Sequence, residues 1–244
     1  MEIRAGGPRE EPAPVAVTMR TAGHDFELAV GFLFTEGLIG PSAVTKVSYC
    51  DSLETEQNYN VVSVRTAHPF DHDALKRRNF YATSSCGICG KASLDEVAVR
   101  CAPLGGGPSI TLDVIAALPN TLRSAQRVFD ATGGLHAAGL FTTDGTLVAM
   151  REDIGRHNAV DKVIGSALLT GAPEFGSRIM MVSGRASFEV VQKAAVAGVP
   201  VLCAVSAPSS LAVTAADRLG MTLIGFLRPS GCNIYSHPER VLDL

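Results

Sequence analysis

Between residues 156 and 227 helical stripes alternate with short apolar runs, and that alternation most restricts what the chain can fold into. Residues 156–169 carry Ala159, Val160, Val163, Ile164, Ala167 and Leu168 on one stripe, and residues 187–197 carry Val190, Val191, Ala194 and Ala195 on another. Apolar residues at such spacings mark a helix with one buried face. Ile179–Val182, Val199–Val205 and Thr222–Leu227 are short apolar runs of strand type, and a further helix is expected over 209–219. Strands that are apolar on both faces need cover on both, which predicts a three-layer α/β unit.

The sequence before residue 156 reads differently. Val15–Arg20 is expected as a strand, 25–36 as an amphipathic helix stopped at Gly37, and Val44–Tyr49 and Tyr59–Arg65 as two more strands. Ser93 and Glu96 have capping-box spacing, so a short helix is expected there. The run from Leu104 to Pro108, with three glycines inside it, is the sharpest punctuation in the chain. It divides a small α+β domain over 1–108 from the α/β domain over 109–244. The second domain should open with a helix over 119–130 and a hairpin of Leu135–Thr143 and Leu147–Arg151 turned at Asp144 and Gly145.

Composition bounds the function classes. Of 244 residues 46% are hydrophobic and 18% charged, with mean hydropathy +0.21, so the chain folds rather than staying disordered. A net charge of −3 offers no global attraction for nucleic acid or an anionic membrane. Residues 1–12 contain acid and no apolar core, unlike a signal peptide. The run Leu28–Phe34 is far shorter than the ~20 residues needed to cross a bilayer. A cytoplasmic protein is expected.

In a reducing cytoplasm the cysteines should not be stapled as disulfides. Cys50, Cys101 and Cys203 read as small core residues, and Cys232 as part of a glycine-flanked loop. Cys86 and Cys89 stand apart, in the stretch SSCGICGK. A structural zinc ion wants about four ligands, yet there is no second C-x-x-C and no closely spaced histidine pair follows, so no metal is expected. A dithiol switch belongs between a strand and a long helix, whereas only a short helix is expected here. The third reading is a thiolate that carries sulfur: Gly87 and Gly90 supply backbone freedom and Lys91 favours the anion.

Other constellations suit an anion. Arg156 and His157 fall in the first turn of an expected helix, where cations oppose the helix dipole, so they should face an anion or pair with Glu152 and Asp161; Asp153 is placed to cap that helix. Ser183, Gly184 and Arg185 lie on a small-residue loop between a strand and a helix, a common phosphate-binding setting. Ser206–Ser210 repeats that design, and Arg228–Asn233 follows the last strand, so the three loops are expected to line one crevice. His136 and Ala138 echo the zinc motif of nucleoside deaminases, but Ala138 stands where a glutamate is required, which excludes that chemistry.

Taken together, Met19–Gly23, Leu28–Gly37, Ser84–Lys91, Thr132–Ala138, Glu152–Lys162, Ser183–Ser187, Gly225–Arg228 and Asn233–Tyr235 resemble the FdhD family, sulfur carriers that serve formate dehydrogenase. The resemblance implies a cytidine deaminase-like three-layer α/β domain with a smaller N-terminal α+β domain. It implies that Cys86 receives sulfur from a cysteine desulfurase as a persulfide and that Cys89 assists transfer. The acceptor it implies is the molybdenum bis(molybdopterin guanine dinucleotide) cofactor bound for formate dehydrogenase, with GDP as a surrogate ligand. The segment Phe226, Leu227, Arg228, Pro229, Ser230 and Gly231 is implied in cofactor binding, beside Ser183, Gly184, Arg185, Asp153 and His157. A homodimer is expected by family and by base rate. The alternatives are a non-catalytic cofactor chaperone and a redox or metal-binding regulator.

Overall fold

A computed structural model describes residues 1–50, 59–73, 103–171 and 174–244. The chain is a mixed α/β protein built around two main sheets. The larger sheet is formed by β6 (His136–Phe141), β7 (Leu147–Asp153), β8 (Ile179–Val182), β9 (Val201–Ala204), β10 (Thr222–Arg228) and β11 (Gly231–Ser236), in the order β11-β10-β9-β8-β6-β7. Strands β8, β9 and β10 run parallel, and β6 and β11 join them antiparallel on either side. The crossovers that parallel pairing requires are the expected helices α5 (Phe188–Ala197) and α6 (Ser210–Arg218), while the expected α4 (Arg156–Leu169) carries the chain from β7 past β6 to β8.

The apolar runs are explained by the two faces they serve. Met180, Val182, Leu202, Ala204 and Leu223 join Val160, Val163, Val190, Val191 and Ala212 in one core. Ile179, Met181, Val201, Cys203 and Ile224 alternate with them and meet Ile115, Leu118 and Leu122 of α2 (Leu112–Ala125) in a second core. Helix α2 departs from the helix expected over 119–130. It starts after Thr111, whose hydroxyl accepts from the Val114 amide at 3.4 Å, and Pro119 lies inside it. Pro in a helix interior costs about 3 kcal/mol, whereas burying each of Ile115, Leu118 and Leu122 contributes roughly 1.5–3 kcal/mol. Packing therefore outweighs the break. Six residues further on form the short α3 (Arg127–Thr132), which ends at Gly133 in the left-handed conformation (φ 68°).

The N-terminal sheet, in the order β2-β1-β4-β3, comprises β1 (Glu2–Gly6), β2 (Ala13–Val17), β3 (Val44–Tyr49) and β4 (Val61–Thr66). Its apolar face packs Ile3, Ala5, Val62 and Val64 against Ala29, Val30 and Leu33 of α1 (Asp25–Thr35). The strand expected over Val15–Arg20 stops at Val17. Beyond it the backbone turns to partners on α4: Met19 carbonyl accepts from Asn158 at 2.7 Å and Thr21 carbonyl from Lys162 at 2.9 Å. The other side of α1 lies on α4, and two glycines make that crossing possible. A methyl on Gly31 would overlap the Asp161 carbonyl oxygen, and one on Gly165 the Glu27 carbonyl oxygen.

The segment after the last expected strand is a hairpin and not an extended loop. Arg228 pairs with Gly231, and β11 returns along β10, so Cys232 sits in a strand. Period-2 patterning is weak in β11 because most of its residues remain partly exposed. The short β5 (Ile110–Thr111) pairs in parallel with β12 (Val241–Leu242). Leu104 donates its amide to the Leu219 carbonyl at 2.8 Å, and Arg240 donates to the carbonyls of Gly106 and Leu104. No helix of the described residues is long and apolar enough to cross a membrane.

Candidate functional site

The carboxyl ends of β8, β9 and β10 lie side by side, and each opens into a loop of small residues. A ladder of backbone hydrogen bonds joins the loops. Ser206 N–H donates to the Gly184 carbonyl at 3.4 Å, Phe226 N–H to the Ser206 carbonyl at 3.2 Å, and Ser209 N–H to the Ala186 carbonyl at 3.0 Å. The approach is close enough that a Cβ on Gly225 would fall 2.8 Å from Pro208 and 3.0 Å from the Tyr235 ring. Arg228 closes the row by donating to the Val205 carbonyl and, at 2.9 Å, to its neighbour Leu227. Ser183, Gly184, Arg185, Phe226 and Arg228 are thus brought to one end of the sheet.

Phe226 is exposed although aromatic, and its φ of 50° is unusual for a side chain without a short polar group. Backbone strain of this kind persists only where surroundings over-determine it; here the Phe226 amide is held by Ser206. Leu227 points the other way, into the second core, at 1% exposure. Pro229, Ser230 and Gly231 form the exposed tip of the hairpin.

Two further elements reach this end. Ser183 and Ala137 exchange bonds, amide to carbonyl at 2.9 Å and amide to hydroxyl at 2.9 Å, which places His136 at the start of β6 beside Gly184. A Cβ on Gly184 would lie 3.1 Å from His136 Nδ1. From α4, His157 Nε2 lies 3.0 Å from Ser187 Oγ and 3.0 Å from Glu189 Oε2. Burial lowers the pKa of His136, and Arg156, His157 and Arg185 lower it further. The ring is therefore neutral near pH 7, beside the guanidiniums of Arg156 and Arg185. Guanidinium groups so placed can hold an anion. Ala138, at the position a deaminase would fill with glutamate, is buried within β6 against Val182.

Several pairings expected around α4 are corrected. Asp153 does not cap the helix: Gly155 is the N-cap residue, and Asp153 is fully buried. One Asp153 oxygen accepts from Gly155 N–H at 2.9 Å and from Asn158 at 3.0 Å, while the other meets Lys162 at 2.7 Å and Thr21 N–H at 3.1 Å. Burial without that cation would be prohibitive. Glu152 and Asp161 are not the partners of Arg156 and His157. Glu152 accepts from the Val128 and Phe129 amides at the start of α3, at 3.0 and 2.8 Å, and Asp161 pairs with Lys193 at 2.9 Å. The contacts of His157 with Ser187 and Glu189 had no signal in the sequence, since helix periodicity does not say which neighbour a residue meets.

Cys203 is buried in β9, and burial pushes its thiol pKa up, with Cys232 adding to the rise; burial also raises Cys232. Both are thiols, not nucleophiles, at neutral pH. Cys50 is partly exposed at the end of β3. Cys86 and Cys89, with Lys91, Ser93, Glu96 and Cys101, lie outside the described residues. Among the described residues no cluster of His, Cys, Asp or Glu could hold a metal ion.

Residues 11–242 match the model of the FdhD/NarQ family. A protein of Mycolicibacterium paratuberculosis named sulfur carrier protein FdhD is 51% identical over 247 residues, covering 99% of this chain and 89% of that one. Its namesake in Mycobacterium tuberculosis is 51% identical over 252 residues, with 99% and 89% covered, and that of Picrophilus torridus is 45% identical over 229 residues, with 93% and 84% covered. Among solved structures, a formate dehydrogenase accessory protein from Desulfotalea psychrophila superposes with a TM-score of 0.75 at 25% identity, covering 99% of this chain and 89% of that one. A family match over residues 11–242, with relatives half identical along 99% of the chain, shows that this chain belongs to the FdhD/NarQ family.

Proposed function

We propose that this chain is a sulfurtransferase of the cytoplasm that takes sulfur from a cysteine desulfurase and delivers it to the molybdenum bis(molybdopterin guanine dinucleotide) cofactor for formate dehydrogenase. The observation that carries the reading is the row of hydrogen-bonded loops that brings Arg185 and Arg228 to one end of the sheet, near Arg156 and His157, which we read as one crevice, in a chain half identical to named sulfur carriers. The cofactor is the cargo here. Its diphosphates suit the guanidinium groups and loop amides, and exposed Phe226 offers a face on which a base can stack. The deaminase-like ancestry implied by the resemblance belongs to the same reading: Ala138 leaves the fold without a proton shuttle, so it serves for binding.

Sulfur arrives by exchange. The Cys86 thiolate attacks the terminal sulfur of the donor persulfide, a new S–S bond forms, and the donor cysteine leaves as thiolate, with no net oxidation. The persulfide is then the species presented to the metal, with Cys89 as the thiol that assists its release. A homodimer fits the same scheme by placing two crevices near a cofactor that carries two guanine nucleotides.

Two measurements test this. After incubation with a cysteine desulfurase and cysteine, intact-mass spectrometry should show a gain of about 32 Da, and peptide mapping should place it on Cys86. A gain elsewhere, or none, removes the carrier role. Separately, Arg185→Ala and Arg228→Ala should each weaken GDP binding about tenfold or more, since each removes a charge-assisted contact of roughly 1.5–3 kcal/mol. Unchanged affinity in both, measured by calorimetry, would place the nucleotide elsewhere.

A further inference from the structure

His24, His72, His157 and His237 each lie against a carboxylate oxygen, at 3.1, 3.7, 3.0 and 2.8 Å. His136 is placed differently. It opens β6 beside the loop after β8, half-buried, with its Nδ1 facing the space that Gly184 leaves by lacking a side chain. The charged groups that bear on it are Arg156 and His157, from the first turn of α4, and Arg185, from the loop after β8. The carboxylates of the adjoining elements are engaged elsewhere. Asp153, its cross-strand partner in β7, is committed to Lys162, Gly155, Asn158 and Thr21. Glu189 of α5 faces His157, and Glu152 faces the α3 amides.

The free protein therefore keeps an imidazole beside the guanidiniums of Arg156 and Arg185, where protonation is opposed both by burial and by repulsion. An anion in the crevice reverses the second of these. Two phosphate charges offset the guanidiniums, and a protonated ring gains a charge-assisted hydrogen bond that the neutral ring lacks.

We infer that His136 takes up one proton when the crevice binds a nucleoside diphosphate diester, so that capture of the ligand is coupled to protonation and its release to loss of that proton. The inference rests on the crevice being the nucleotide site proposed above. The proton comes from solvent onto a ring nitrogen, and no ligand bond is made or broken. The sign follows from linkage: the complex binds more protons than the free protein, so affinity rises as pH falls through the interval between the free and bound pKa values.

GDP-mannose is a suitable probe, because both phosphates are esterified and neither titrates near neutrality. Calorimetry at pH 7 in two buffers of different ionisation enthalpy should report net proton uptake. The Kd should be about three- to tenfold weaker at pH 8 than at pH 6. His136→Asn should bind with a Kd independent of pH, whereas His157→Gln should keep the dependence. The His136 Cε1–H resonance of the unaltered protein should titrate at higher pH with GDP-mannose than without, a readout that stands even if His136→Asn fails to fold. Binding without proton uptake, or a dependence that survives His136→Asn and vanishes in His157→Gln, overturns the inference and leaves the nucleotide site intact. Absence of GDP-mannose binding at every pH overturns the site itself, and the inference with it.

Discussion

Formate dehydrogenase produced alongside a Cys86→Ala variant should accumulate with at least about a 100-fold loss of activity, because alanine offers no nucleophile to accept sulfur. The argument is chemical and needs no particular geometry. A carrier must hold sulfur covalently, reversibly and without net oxidation, and a thiolate does so by exchange at a donor persulfide. Cys203 and Cys232 are poor substitutes. Both are raised in pKa by burial, and Cys203 has no exposed surface. Cys89→Ala should act differently: sulfur still loads on Cys86, and its release slows. Thermal unfolding of both variants, followed by circular dichroism, separates lost chemistry from lost fold. Normal maturation with Cys86→Ala would leave the chain a cofactor chaperone, not a carrier.

Lys193→Met should destabilise the protein by about 3–5 kcal/mol, the cost of leaving a buried charge unpaired. Lys193 lies between α5, α4 and the end of α1. Its ammonium donates to both Asp161 oxygens at 2.9 and 3.0 Å, to Thr35 Oγ1 at 2.9 Å and to Glu36 at 3.1 Å. Burial works against that charge, but Asp161 and Glu36 outweigh it and raise the Lys193 pKa above its ordinary value of 10.5. A raised lysine contributes stability in full below the ordinary value and loses it only as pH rises through the folded one. In the variant Asp161 loses that cation. Burial already raises the Asp161 pKa and Lys193 is what opposes the rise, so without it the folded pKa stands further above the unfolded one and the native state binds the extra proton over a wider pH interval. The variant should therefore recover stability as pH falls from 7 toward 5 in urea titrations. Adding Asp161→Asn should restore part of the loss at pH 7. A variant as stable as the parent, or one that weakens toward acid, would show that the cluster is hydrated and of little consequence.

The helices α4, α5 and α6 and the strands β8, β9 and β10 were legible from periodicity, because residues at 3.6 or 2 positions share a face whatever lies opposite. The start of α2 was not, because Pro119 reads locally as a helix start and only the sheet beneath Ile115, Leu118 and Leu122 reverses that reading. Strand β11 was missed for a related reason: an edge strand with mixed exposure carries little alternation. At the site, small-residue loops after apolar strands, with arginines among them, were visible in the residues alone. The roles of Asp153, Glu152 and Asp161 were not, since each carboxylate is satisfied by groups distant in the chain, such as Thr21 for Asp153 and Thr35 for Asp161.

By itself the order of residues determined the alternating α/β core, the loops at the ends of its strands and the presence of a thiol pair, because these follow from backbone periodicity and residue chemistry over short spans. Only the tertiary structure decided which charges meet: that Lys193 is the partner of Asp161, that Lys162 rests on Asp153, and that His136 stands among Arg156, Arg185 and His157. Desolvation and Coulomb attraction depend on distance in space, and neither leaves a pattern along the chain.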